Sequence, residues 1–225
     1  MSVDPLALDY PSLSPYNYVA NNPHRYIDPN GMKLVASSEE EQEMILNTLG
    51  EEDRKYVKFS DNGLIDKDLL NSWESESGNF NALLALVNHE ETFEAVLTES
   101  FTYIDENGQI NIRQFGEIQI QDPNNRSYFT PSTLEGGFTG LTQTKDGFAS
   151  PGGNNIININ SKLSTAGRAQ VFSHEGYGHA YLYAIGKDSG HKYIKDLNGN
   201  TIEANLFLKG QIIDRINETI KNMVK

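Results

Sequence analysis

A mixed α+β domain is the fold class that this 225-residue sequence predicts, and three stretches predict it. Two runs that alternate apolar and polar residues, Phe93 to Ile104 and Gln109 to Ile120, flank Glu106-Asn107-Gly108 and read as a β-hairpin. A run opened by Ser164 carries Ala169, Val171 and Phe172 at helical spacing into a histidine-bearing segment that extends to about Ile185. A third run, from about Ile202 to Met223, places Leu206, Leu208, Ile212, Ile213, Ile216 and Ile220 along a closing helix.

The remaining elements follow in chain order. Ser38 and Glu41 form a capping box ahead of Met44, Ile45 and Leu49, and Gly50 ends that helix. Tyr56 to Ser60, the turn Asp61-Asn62-Gly63 and Leu64 to Trp73 predict a short strand, a turn and a second helix. Asn81 to Val87 adds another helical run. Residues 122 to 154, rich in Gly, Pro, Ser, Thr and Asn, read as long loops around a site, and Ile156 to Asn160 as a short strand. There are no internal repeats.

Composition narrows the function classes. The length suits one well-formed core with a small appendage. Cysteine is absent, so disulfides and thiolate metal clusters are excluded and any metal must be held by His, Asp or Glu. A formal net charge of -13 argues against a nucleic-acid binder, whose affinity comes from basic groups neutralising phosphates. No apolar run approaches the roughly 20 residues that cross a bilayer, and the N-terminus has no basic and apolar signal segment, so no membrane span and no secretion signal are expected.

The chemistry concentrates in His174-Glu175-Gly176-Tyr177-Gly178-His179, with His191 shortly after; three of the five histidines fall here. Neutral imidazoles that hold a divalent metal beside a carboxylate are the arrangement that activates water for peptide hydrolysis. The histidines are five apart, which an ideal α-helix would separate by about 140°. A one-residue π-bulge brings them to one face, and Gly176 and Gly178 lower the cost of that distortion. Glu175 would be the general base, and His174 and His179 two metal ligands. His191 is the expected third ligand, folded back by a turn over Gly186 to Gly190. Glu203, expected near the start of the last helix, competes for that role. Tyr177, Tyr181 and Tyr183 read as core tyrosines with satisfied hydroxyls, while His89 and His24 read as surface residues.

His-Glu-x-x-Gly-His resembles the zinc motif of the dipeptidyl-peptidase III family. The resemblance implies Zn2+ bound by His174 and His179, Glu175 serving the water, and Gly178 as the extra residue; it covers six positions and carries no fold or exopeptidase action with it. Glu203 is similarly placed to the downstream glutamate ligand of gluzincins. Strand, motif helix and C-terminal helix, in that order, suit a zincin-like metallopeptidase core.

Residues 1 to 32 differ from the rest. Five of the eight prolines lie there, in Asp4-Pro5-Leu6, Tyr10-Pro11, Ser14-Pro15-Tyr16-Asn17-Tyr18-Val19, Asn21-Asn22-Pro23 and Asp28-Pro29-Asn30-Gly31-Met32. This turn-dense segment resembles the end of the core-associated region of Rhs and YD-repeat polymorphic toxins. There a Pro-x-x-x-x-Asp-Pro-x-Gly element ends the repeat shell and a variable toxin domain follows. The resemblance implies two parts, residues 1–32 and a metal-dependent toxin domain over 33–225. It also implies an aspartyl autoprotease pair at Asp4 and Asp28, export within a larger Rhs protein, a repeat shell as partner, and a cognate immunity protein.

Together these readings describe an Rhs-type toxin tip that acts as a zinc metallopeptidase on a target protein. The alternative from another class is a non-catalytic tip that binds its target and keeps the histidines for structure.

Overall fold

The computed structural model describes residues 34–104, 109–115, 137–140, 155–196 and 198–224. The junction at Met32, Asp4, Asp28, His24 and the hairpin turn at Glu106 to Gly108 lie outside the described residues.

The described residues open with a two-residue strand, β1 (Leu34–Val35), then α1 (Glu39–Leu46). The expected capping box is present: Ser38 Oγ accepts from the Glu41 backbone N–H, and the Glu41 carboxylate accepts from that of Ser38. Gly50, expected to end this helix, instead caps a short α2 (Glu51–Arg54). The expected strand and helix over Tyr56 to Trp73 are smaller than the pattern suggests. Phe59 and Leu64 enter only single bridges, to Ile65 and Val35, and the helix shrinks to α3 (Lys67–Asn71), capped by Asp66. Gly63, at φ 78, makes the turn between them. Helix α4 (Gly78–Asn88), capped by Ser77, follows as expected.

The first arm of the expected hairpin is two strands. β2 (Phe93–Thr98) enters a sheet, and only β3 (Ser100–Ile104) pairs antiparallel with β4 (Ile110–Gln114). A strand also appears inside the stretch read as loops: β5 (Gly137–Gly140). With β6 (Asn155–Asn160) these make a four-stranded sheet ordered β1-β2-β6-β5, parallel except for β5. Register puts Phe93 and Ala95 opposite Asn155 and Ile157, so Phe93, Ala95, Ile157 and Ile159 share the face that is buried in the core.

Across that face runs α5 (Thr165–His174), which passes without a break into a π segment (Glu175–Ala180) and α6 (Tyr181–Ala184). Ser164 caps its start through the Gly167 N–H. Phe172, Tyr177 and Ala180 are fully buried among Met44, Ile45, Phe80, Leu83 and the sheet residues. Each large apolar side chain so enclosed contributes about 1.5–3 kcal/mol of hydrophobic stabilisation. The motif helix is therefore fixed by the main core.

After α6 the expected long C-terminal helix is preceded by a second hairpin, β7 (Tyr193–Lys195) with β8 (Thr201–Glu203). Helix α7 (Leu206–Met223) starts only at Leu206, because Asn205 accepts from the Leu208 N–H and caps it there. Glu203 thus lies on a strand, not in a first helical turn. Helix α7 packs on α5 and the π segment, with Ser173 Oγ and Thr219 Oγ1 2.6 Å apart, while its Leu208 and Ile212 cluster with Leu182 of α6. No described helix is long and apolar enough to cross a membrane.

Candidate metal centre

His174 ends α5 and His179 lies in the π segment, where the Tyr181 N–H reaches back five residues to the Gly176 carbonyl. The widened turn returns both imidazoles to one face, with Nε2 of His174 3.2 Å from Nε2 of His179. Two nitrogens on one tetrahedral zinc, each at about 2.0–2.1 Å, would stand about 3.3 Å apart. The pair already has that separation. His191, in the loop after α6, brings its ring centroid to 4.8 Å from that of His179 and 5.8 Å from that of His174. One nitrogen from each of the three lies within 4.8 Å of the others, so the three residues are close enough to bind a metal ion.

Two of the rings are engaged through Nδ1. His179 Nδ1 is 2.5 Å from the Ser189 carbonyl. A carbonyl only accepts, so Nδ1 carries the proton and Nε2 presents its lone pair. His191 Nδ1 lies 2.6 Å from Glu203 Oε2, which orders that ring in the same sense. Glu203 Oε1 accepts from the backbone N–H groups of Lys192 at 2.9 Å and Asn205 at 2.7 Å. Burial pushes the Glu203 carboxyl up, but these donors outweigh it and leave the pKa below the usual carboxylate range. Burial also holds His174 below the ordinary histidine value, with His179 and His191 adding to that effect and Glu175 opposing it. A neutral imidazole is the form that binds metal.

Glu175 follows His174 directly and is buried. Gly176 and Gly178 stand in the π segment without positive φ angles, so the distortion does not need their left-handed freedom. They are needed for space: a Cβ on Gly178 would meet Ile212 Cγ1 at 2.7 Å, and one on Gly176 would meet the Phe172 ring at 3.0 Å.

The tyrosines behave as core residues. Tyr177 is fully buried, and its hydroxyl pairs with Thr48 Oγ1 at 2.9 Å; the Tyr183 hydroxyl donates to Glu91 at 2.8 Å. His89, expected at the surface, is half-buried instead. Its Nδ1 accepts from the Glu91 N–H, and its ring meets Phe93 edge-on. Sequence reasoning missed Ser189, Asn205 and Tyr193. Tyr193 stacks on His191, with centroids 5.5 Å apart and planes 16° apart. The Asn205 side-chain amide donates to the Asp188 and Gly190 carbonyls on either side of Ser189. Asn205 was legible as a helix cap; a main-chain acceptor such as Ser189 leaves no residue-type signal.

In comparisons with known families, curated proteins and solved structures, no match is found.

Proposed function

We propose that the domain is a zincin-like, zinc-dependent metallopeptidase and the toxic tip of an Rhs-type protein. The observation that carries the chemistry is the His174 and His179 Nε2 pair, 3.2 Å apart across the π turn with His191 beside it. An all-imidazole donor set in a chain without cysteine suits zinc, and three protein ligands leave a position open, as catalytic sites require. When bound, zinc supplies Lewis acidity for polarising a carbonyl and for lowering the pKa of water. Glu175 is the general base, taking a proton from the attacking water and passing it to the leaving amine. Delivery within a larger Rhs protein, a repeat shell as its carrier, a cognate immunity protein and a polypeptide target rest on the resemblance of residues 1–32.

The test is Glu175→Gln, which keeps shape but cannot take up a proton. It should retain about one zinc per chain and lose its toxicity to a sensitive cell. Undiminished toxicity would remove the peptidase mechanism.

A second reading has its own support. An Nε2 to Nε2 distance of 3.2 Å is also within hydrogen-bonding range, and His179 Nε2 is free to accept. The histidines would then tie the helix to the loop of a tip that acts by binding. Metal analysis of untagged protein separates the two, since only the first requires stoichiometric zinc.

A further inference from the structure

We propose that Glu203 is a positioning residue for this centre: it fixes the ring and tautomer of His191 and is not itself a ligand. The inference rests on the metal-centre reading above. Its basis is the directionality of three hydrogen bonds. Glu203 Oε1 is occupied by the N–H groups of Lys192 and Asn205, which orient the carboxylate from two sides. Its other oxygen, Oε2, lies 2.6 Å from His191 Nδ1, where a carboxylate accepts and the ring donates. The proton therefore sits on Nδ1 and the lone pair on Nε2, the nitrogen left for a metal ion.

The hairpin carries this arrangement to the site. Tyr193 pairs with Glu203 across β7 and β8, and the Tyr193 ring stacks on His191. The Ala204 N–H donates to the Lys192 carbonyl at 2.6 Å, and the Asn205 amide holds the Gly190 carbonyl at 3.0 Å. Two ligands are set by a helix buried in the core, whereas the third sits on an exposed loop. Glu203 supplies there the orientation that packing supplies to the others. An outer carboxylate that orients a metal-bound histidine changes metal affinity by about 10–100-fold when removed.

Glu203→Gln is the discriminating variant. The two backbone donors keep the amide oxygen facing them, so the amide NH2 must face His191 Nδ1, where it favours the tautomer with its proton on Nε2. Zinc affinity by chelator competition should fall about 10–100-fold in Glu203→Gln and by a similar factor in Glu203→Ala. Cobalt(II) loaded in place of zinc should keep the absorption envelope of the parent, because the donor set is unchanged. Long-range 1H–15N spectra of metal-free protein should place the His191 proton on Nδ1 in the parent and on Nε2 in Glu203→Gln. Parent-like zinc affinity in Glu203→Gln and Glu203→Ala overturns the proposal. So does a cobalt spectrum of Glu203→Ala that changes as that of His191→Ala does, which would make Glu203 a ligand. A parent that binds neither zinc nor cobalt removes the metal centre itself, and the proposal with it.

Discussion

Replacing Gly178 with alanine tests whether the π turn is held by close packing against α7. Two opposing effects set the sign. In a helical segment, Gly→Ala stabilises by about 0.8–1.0 kcal/mol through backbone entropy. Against this, the new Cβ would sit 2.7 Å from Ile212 Cγ1, and carbon atoms prefer about 3.5–4.0 Å. Ile212 must retreat by roughly 1 Å although it is buried against Leu182 and Leu208, and overpacking of this kind costs about 1–3 kcal/mol. The net expectation is a loss of up to about 2 kcal/mol, with Tm lower by about 2–4 °C per kcal/mol for a domain of this size. In an Ile212→Ala background the obstructing carbon is gone, so Gly178→Ala should become stabilising by up to about 1 kcal/mol. Urea titration of the four proteins in a double-mutant cycle measures that reversal. If Gly178→Ala stabilises the parent, or if the two changes add within about 0.5 kcal/mol, the packing account of this glycine is wrong.

Three further outcomes are expected. Burial raises the Tyr177 hydroxyl well above its ordinary value, so the folded state keeps a proton that the unfolded state loses. The stability this gives is complete below about pH 10 and declines as pH rises beyond it; Tyr177→Phe should flatten that decline in alkaline denaturant titrations. His174→Ala and His179→Ala should each lose zinc and toxicity together, and stoichiometric zinc retained in either variant would remove that residue from the ligand set. On the Rhs-type reading proposed above, a longer parent chain should be cleaved just after Met32, at the Asp28-Pro29-Asn30-Gly31-Met32 element, and mass analysis of the product decides it.

Local chemistry was legible wherever a few neighbouring residues suffice. Ser38 with Glu41 specifies a capping box, Ser164 a helix start, and two histidines five apart beside glycines a π turn, all from the sequence alone. The same reasoning reached His174, His179 and His191 as a set, because the first two share a helix and the third follows within a short loop. Some errors were also local. Reading Asn205 as a cap would have freed Thr201 to Glu203 for a strand, with Asp196 to Asn200 as its turn.

Other features were decided only by tertiary contact. β2 reads as half of a hairpin until β6 pairs with it in parallel, and β5 contains two glycines in four residues, so only its partner strand marks it as a strand. A strand requires a neighbour, and a neighbour distant in sequence leaves no periodic trace. The glycines of the motif follow the same rule. Their identity suggested backbone freedom, but the folded chain uses them to admit Ile212 and the Phe172 ring. Glu203 reads in the sequence as a helix-start acid or a competing ligand, whereas the hairpin brings its carboxylate to His191 Nδ1. Residue types determined which chemistry was available; packing determined which atom of each faces the site.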